Sequence, residues 1–404
     1  MGNHKSMAAL TGLRGLAALW VLMYHTWVYS VPKELSFTLF EKQFYGHVFI
    51  SLGWSGVQIF FVLSAFLLTL PFARANAGLA PKPHIKSFLI RRLARVFPAY
   101  YAQFIILVAI SYFLHNLSPI PLEDIPEYAL MLFIPPPIGI GTPSLNGVWW
   151  TLPIELSFYF ALPLLALFVR WRYLMPLFIA SVLCMFLWRF YIMNILQPSS
   201  ALPSPTLQLP GSMDSFGIGM IGAILHVHFI EQRKASDTYH KTLIILSLTV
   251  PFIFYLLGVW MAHHYKVYWS HSLILYTWTP IFSLAILTLV LTSTRRPDSL
   301  LNVVFGNKPL MYLGMISYGI YLWHPPIASW LQATPIFSQF TGYKFPYLFL
   351  STFALTLLAA AISWHLIEER CINIARGLNK HKEKKAEPLL ATYPADNSSM
   401  KNPD

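Results

Sequence analysis

The chain has 404 residues, of which 56% are hydrophobic and 11% are charged, and its formal net charge is +12. This apolar share excludes an ordinary soluble globular domain and is typical of a polytopic membrane protein. The two cysteines, Cys184 and Cys371, are too few and too far apart to suggest a disulfide framework or a metal site.

Ten apolar runs approach or exceed the length that a helix needs to cross a bilayer. They lie at about residues 8–30, 52–72, 98–114, 148–169, 174–196, 212–229, 242–262, 272–292, 309–331 and 347–367. The sequence therefore predicts an all-α polytopic protein, a bundle of about ten transmembrane helices over residues 1–376. A Lys-rich tail over 377–404 is expected to be disordered.

The connections between these runs differ in charge, which predicts the orientation of the chain. Alternate connections carry most of the basic residues, including Arg74, Lys82, Lys86, Arg91, Arg92, Arg95, Arg170, Arg172, Arg233, Lys234, Lys241, Arg295, Arg296 and Lys308. By the positive-inside rule, these connections and both termini face the cytoplasm. The positive net charge is therefore mainly a topology signal, and we expect no nucleic-acid partner.

The first apolar run contains two residues that are costly in a bilayer, Arg14 and His25. An arginine cannot shed its charge, so placing it in hydrocarbon costs at least about 2.5 kcal/mol. The two residues are eleven positions apart, so on a helix they share one face and are separated by about 16 Å. This arrangement predicts a functional pair.

A basic stretch with helical spacing precedes the third run. Phe88, Leu89, Arg92 and Arg95 fall on one face of a helix, and Pro98 is expected to end or kink it. Two interpretations stay open from the residues alone. The stretch is either an amphipathic helix lying on anionic lipid headgroups or a clamp for a polyanionic ligand, because arginine forks match phosphate oxygens.

The fourth run contains Glu155, with Trp150 and Tyr159 nearby. A carboxylate in a membrane must be paired, neutral or in contact with water, and Arg14 is a candidate partner. An ion pair that only holds helices together is the alternative interpretation. Pro153 predicts a break in this helix, of the kind that membrane proteins tolerate mainly beside a cavity.

Polar residues are fewer in the later runs. Asp214 lies near the outer end of the sixth run, and Arg189 in the fifth run is a candidate partner for it. His324 stands in the ninth run, where a packing histidine with its hydrogen bonds satisfied is the alternative to a functional role. Glu368 and Glu369, beside Arg370 at the end of the tenth run, are explained by a solvated interfacial ion pair.

Taken together, these segments resemble the acyltransferase-3 family of integral membrane O-acyltransferases. The resemblance covers most of the membrane region and rests on five ordered segments: the Arg14/His25 pair, Phe60-Phe61-Val62-Leu63-Ser64, Arg92-Leu93-Ala94-Arg95 with Pro98 and Tyr100, Trp150-Thr151-Leu152 with Glu155, and Ile316-Ser317-Tyr318 with Tyr321-Leu322-Trp323-His324. Two positions depart from the family pattern. Ala65 stands where glycine is usual, and Cys371 where proline is usual.

The resemblance implies transfer of an acyl group, usually acetyl from acetyl-CoA as co-substrate, to a hydroxyl of a glycan or lipid-linked saccharide. It implies that His25 and Arg14 are essential and that Arg92 and Arg95 bind the donor. The expected location is the bilayer of a bacterial cytoplasmic membrane, and no metal is expected. A macrolide-like small molecule is an alternative acceptor. A proton-coupled transporter using Arg14 and His25 is the alternative function.

A mechanism follows from the spacing of these residues. We expect Arg92, Arg95 and Arg14 to guide the donor to His25, which acts as general base. Glu155 is expected as a third catalytic residue that orients the imidazole of His25 or balances the charge of Arg14. A covalent acetyl intermediate on His25 is the alternative mechanism. The expected substrate-binding residues are Trp150, Tyr159, Asp214 and His324.

Overall fold

The computed structural model describes residues 2–377 apart from nine short gaps. These gaps are residues 31–35, 40, 114–120, 134–142, 197–205, 233–235, 264–272, 296–299 and 341–342. Apart from Gly377, the tail predicted over 377–404 lies outside the described residues.

The first half of the described chain contains eight helices and one hairpin. They are α1 (Gly2–Tyr29), β1 (Ser36–Leu39), β2 (Lys42–Tyr45), α2 (Gly46–Ser51), α3 (Gly56–Asn76), α4 (Ile85–Phe113), α5 (Ile125–Ala129), α6 (Leu152–Leu165), α7 (Leu174–Tyr191) and α8 (Met213–Leu225). Short 3-10 segments occupy Leu52–Ser55, Leu122–Asp124, Gly147–Thr151, Ala166–Phe168, Trp171–Tyr173 and Pro210–Ser212.

In the second half of the described chain, all regular secondary structure is helical. Its helices are α9 (Asp237–His263), α10 (Ile274–Arg295), α11 (Leu300–Phe305), α12 (Lys308–Met315), α13 (Ser317–Gln332), α14 (Pro335–Gln339) and α15 (Lys344–Ser363). Single π-helical turns occur at Ile192–Leu196, His226–Glu231 and Trp364–Glu368.

Nine helical segments within the described ranges are long and apolar enough to cross a membrane, which confirms the predicted polytopic helical fold. The ninth apolar run, at 309–331, differs from expectation because it forms two helices, α12 and α13. The chain leaves the helix at Ile316, so neither helix reaches the length of a full span on its own.

The outer face of α7 shows why this bundle needs lipid around it. Met175, Ile179, Leu183 and Leu187 recur every four residues, and each is between 49% and 58% exposed. A continuous apolar stripe of this kind on a soluble protein would drive aggregation. In a bilayer the same stripe contacts acyl chains.

The β1–β2 hairpin was not predicted from the sequence. Its two strands pair in antiparallel register, with Ser36 opposite Tyr45 and Leu39 opposite Lys42. It follows α1 and leads directly into α2, so it lies at the end of the first span that carries His25.

Two prolines lie inside or at the start of continuous helices. Pro98 lies inside α4, so of the two predicted effects it does not end the helix, and the basic stretch and the third span are continuous. Pro153 stands in the first turn of α6, where its missing N–H would have no helical partner in any case. It therefore starts a helix, and the expected interior break is absent from this described segment.

Helix α1 packs against α11 and α12 at van der Waals contact of the backbones. A Cβ atom added to Gly314 would lie 1.9 Å from the carbonyl oxygen of Thr11, and one added to Gly12 would lie 1.7 Å from that of Phe305. Small residues at such crossings let membrane helices approach closely. These glycines therefore set the position of α1, and with it the positions of Arg14 and His25.

The replacement Gly314→Val is expected to destabilise the protein by about 1–3 kcal/mol, because the new side chain overlaps the backbone of α1. Thermal unfolding of the detergent-solubilised protein measures this. The matched control is Gly377→Ala, since no atom lies within 4 Å of a Cβ at Gly377. Equal melting temperatures for the two variants would contradict the close packing.

Candidate active site

Two histidines that are distant in the chain meet inside the bundle. The Nε2 atom of His324 in α13 lies 3.1 Å from the Nδ1 atom of His25 in α1. His324 is fully buried, and the two ring centroids are 5.0 Å apart. Each Nδ1 atom also lies 3.0 Å from a backbone oxygen of its own helix, that of Val21 for His25 and that of Ile320 for His324. The sequence singled out both residues but did not predict their contact.

Arg14 faces a narrow cavity of about 50 Å³ between α1, α3, α6 and α13. Its walls are Arg14, Val57, Phe60, Phe61, Ser64, Thr151, Leu152, Glu155, Ser317, Tyr318 and Tyr321. The Tyr321 ring centroid is 6.0 Å from that of His324, so this wall residue leads from the cavity to the histidine pair. Arg14 and His25 lie on one continuous helix, as predicted.

Glu155 has hydroxyl partners instead of the direct ion pair with Arg14 that was considered from the sequence. Ser64 Oγ donates to Glu155 Oε1 at 3.2 Å, and the hydroxyl of Tyr159 donates to the same oxygen. Among the described residues, Arg14 has no carboxylate oxygen within 4.0 Å. Glu155 nevertheless lines the same cavity and interacts with the charge of Arg14 electrostatically. The hydrogen-bonding partner of His25 is His324, not Glu155.

A second cavity, of about 190 Å³, lies between α4 and the helix that continues α15. Its lining contains four arginines and one carboxylate among Arg91, Arg92, Arg95, Trp364, Glu369, Ile372, Asn373 and Arg376. Within the described ranges, neither Arg92 nor Arg95 has a carboxylate within 4.0 Å. The Nε atom of Arg92 is buried there without a hydrogen-bond partner. Such a cavity suits an anion that brings its own oxygens.

The two cavities are electrostatically connected. We call the cavity of about 50 Å³ around Arg14 the inner cavity, because it lies deeper in the bundle, and the cavity of about 190 Å³ around Arg92 and Arg95 the outer cavity. Arg14 interacts electrostatically with both Arg92 and Arg95. The three guanidinium groups thus form a cationic series, called here the arginine series, that begins at the outer cavity and ends at Arg14. Like charges held close together in a protein repel one another, and an anion bound between them offsets this repulsion.

Glu368 differs from expectation. It is 1% exposed, and its Oε1 atom accepts a hydrogen bond from Ser363 Oγ at 2.9 Å, so it is not a solvated partner of Arg370. The π-helical turn Trp364–Glu368 explains the error, because its wider turn rotates the following side chains relative to an ideal α-helix. Glu368 also interacts with Arg95 and Arg14, which places a second buried carboxylate near the arginine series.

An amide network that the sequence analysis missed holds α13 beside the site. Pro325 and Pro326 lack N–H groups, so the carbonyls four residues earlier, including that of Leu322, lose their helical donor. Gln103 Nε2 and Asn146 Nδ2 each donate to the Leu322 oxygen at 2.8 Å. The network fastens α4 and the 3-10 segment Gly147–Thr151 to the helix turn that carries His324.

The buried polar atoms of this network also form hydrogen bonds with one another. Gln103 Oε1 accepts from Trp149 Nε1 at 2.8 Å and from Asn146 Nδ2 at 3.2 Å. Gln103 is fully buried and Asn146 is 2% exposed, so water does not replace a lost partner. In the sequence, the proline pair alone indicates that backbone carbonyls in this helix lack donors, and it does not identify which side chains donate to them.

Two of the predicted substrate-binding residues lie away from the Arg14 cavity. Asp214 is fully buried in α8, and neither carboxylate oxygen has a hydrogen-bond partner among the described residues. Its expected partner, Arg189, donates instead to the carbonyl oxygens of Gly211 and Leu275. Trp150 is partly buried against the core and does not line that cavity. Tyr159 does reach the site, through Glu155.

The replacement Gln103→Leu is expected to lower stability by about 1–3 kcal/mol for each buried group left without a partner. Thermal unfolding in detergent measures this loss. Gln332→Leu is the matched control, because the Gln332 amide donates to a backbone oxygen at an exposed position. A Gln103 variant as stable as the control would contradict the role assigned to the network.

Comparison with known proteins identifies relatives over most of the chain. The profile of the acyltransferase-3 family, described as an acyltransferase domain, matches residues 7–365. The peptidoglycan O-acetyltransferase OatA of Listeria monocytogenes is 28% identical over 83% of this chain and 51% of its own length. The O-acetyltransferase OatA of Staphylococcus aureus is 23% identical over 91% of this chain and 57% of its own length. The chain thus spans about half the length of these relatives. No solved structure matches it.

Proposed function

Because the chain belongs to the acyltransferase-3 family, we propose that it is a membrane O-acyltransferase that moves an acyl group, most simply acetyl, from acyl-CoA to a hydroxyl of a glycan. The observation that carries this proposal is the arginine series, Arg92, Arg95 and Arg14, whose members have no carboxylate within ion-pair distance in the described chain. A ligand with several phosphates supplies the missing oxygens.

The outer cavity suits the nucleotide end of the donor. Arginine forks bind phosphate oxygens in pairs, and Arg91 and Arg376 line this cavity together with Arg92 and Arg95. Trp364 adds an aromatic surface on which a base can stack. The positive-inside rule supports a cytoplasmic location for this cavity, where acyl-CoA is made.

The inner cavity suits the narrow arm that carries the thioester. It begins at the inner end of the arginine series, and its walls include Arg14 and Tyr321. From Arg14 the first helix rises about 16 Å to His25. A donor whose phosphates stay with Arg92 and Arg95 then extends along α1 and presents its thioester carbonyl to the histidine pair.

The reaction requires one proton to be taken and returned. His25 removes the proton from the acceptor hydroxyl while the hydroxyl oxygen attacks the thioester carbonyl carbon. The tetrahedral intermediate expels the CoA thiolate, which accepts the proton from His25 and leaves as the thiol. The products are the ester and CoA, and the imidazole is neutral again. The charges of Arg14 and Glu155 contribute to the electrostatic potential around the thioester carbonyl, and neither side chain takes part in this proton transfer.

The acceptor class is proposed from two observations. The relatives described above are named O-acetyltransferases, and the one from Listeria monocytogenes is named for peptidoglycan. His25 lies closer than Arg14 to the end of α1 that leads into the hairpin. Arg14 lies closer to the other end of this helix, on the side of the outer cavity. A sugar hydroxyl therefore approaches from the outer side of the membrane, opposite the donor.

The replacement His25→Ala is expected to lower kcat at least about 100-fold, because the base is lost. The assay uses the full chain in lipid nanodiscs with acetyl-CoA and peptidoglycan glycan fragments, and mass spectrometry counts the acetyl esters formed. His84→Ala, at an exposed position, is the control. Unchanged turnover in a folded His25 variant would refute the proposed catalysis.

The replacements Arg92→Gln and Arg95→Gln are each expected to raise the KM for acetyl-CoA about 10-fold, because each removes a charge-assisted contact with phosphate. The KM for S-acetylpantetheine, which lacks the nucleotide phosphates, should change less than twofold. Arg170→Gln, an exposed arginine outside both cavities of the site, is the control. Equal losses with both donors would argue against phosphate binding at these arginines.

A further inference from the structure

We infer that His324 is a positioning residue that holds the imidazole of His25 in the tautomer whose Nε2 atom carries the free electron pair. The sequence suggested His324 as a residue that selects the acceptor. Its contact with His25 Nδ1 assigns it to the base itself. The catalytic consequence rests on the proposed function, whereas the tautomer does not.

The hydrogen bonds of His324 determine where its own proton lies. Its Nδ1 atom is 3.0 Å from the carbonyl oxygen of Ile320. Carbonyl oxygens only accept hydrogen bonds, so Nδ1 must carry the proton of the neutral ring. The Nε2 atom of His324 is therefore left as an acceptor.

Burial keeps this proton in place. A fully buried His324 cannot turn to water for an alternative partner. The Ile320 carbonyl is therefore the acceptor that holds the proton on Nδ1.

The proton of His25 follows from that of its partner. Its Nδ1 atom faces the Val21 carbonyl at 3.0 Å and the His324 Nε2 acceptor at 3.1 Å. Both neighbours accept, so Nδ1 donates to them and carries the proton. The electron pair then sits on Nε2, which is the ring atom that the two contacts leave available for an acceptor hydroxyl.

The contact also stabilises the intermediate form of the base. When His25 takes a proton at Nε2, its positive charge spreads to Nδ1, and the bond from Nδ1–H to His324 becomes charge-assisted. Such bonds are about twice as strong as neutral ones. His324 therefore helps His25 most when His25 is protonated, which is a contribution to kcat and not to donor binding.

The tautomer is measured first, because it requires no substrate. The full chain is prepared in lipid nanodiscs with ¹⁵N-labelled histidine, and the signals of the pair among the 14 histidines are assigned by comparison with His25→Phe and His324→Phe. We expect both rings of the neutral pair to be protonated at Nδ1. A wild-type His25 protonated at Nε2 would overturn the inference, whether or not the protein transfers acyl groups.

The catalytic consequence is measured with acetyl-CoA and glycan fragments. His324→Phe should lower kcat about 100-fold while the KM for acetyl-CoA changes less than twofold, because a phenyl ring accepts no hydrogen bond from Nδ1. His324→Gln should restore kcat to within about 10-fold of wild type, because its amide oxygen accepts from His25 and its amide nitrogen donates to a carbonyl. His84→Phe is the control at an exposed position.

The outcomes separate the two proposals. A raised KM for the glycan with unchanged kcat in His324→Phe would assign His324 to acceptor selection and contradict positioning. Equal kcat values for the Phe and Gln variants would show that only packing matters, and would also contradict it. Absence of transfer by the wild type, together with the expected tautomer, would refute the proposed function and leave the positioning of His25 in place.

Discussion

An arginine keeps its charge wherever the fold puts it, and most of this site follows from that constraint. Arg14 lies on a helix that crosses an apolar bundle, near Arg92 and Arg95 of α4. Two carboxylates lie within electrostatic range, Glu155 and Glu368, and hydroxyl groups already occupy one oxygen of each. The protein thus keeps an excess of positive charge along one internal route.

That excess also explains why the site is held so firmly by its surroundings. Mutual repulsion of three guanidinium groups would push α1 and α4 apart if packing did not oppose it. The close crossing of α1 and α12 at Gly314, and the amide network around Gln103, keep these helices in place. Structural residues far from the chemistry therefore maintain a charge distribution that an apolar bundle would otherwise not tolerate.

The sequence predicted what depends on one segment at a time. The apolar runs give the spans, and the spacing of Arg14 and His25 on one helix gives their shared face. It missed what depends on contacts between segments: the partner of His25 lies 299 residues away, and the amides around Leu322 come from two other elements. Glu368 was misassigned because a π-turn changes the helical register, and nothing in the local composition reports such a turn.

The contact between His25 and His324 has a consequence for how the protein is made. His25 enters the membrane with the first helix, while its partner is synthesised 299 residues later. At a ribosomal rate of about 5–20 residues per second, that interval is roughly 15–60 s. During this time the nascent chain carries a membrane-embedded imidazole without the neighbour that orients it. The histidine pair is therefore completed only after most of the bundle that surrounds it has been synthesised.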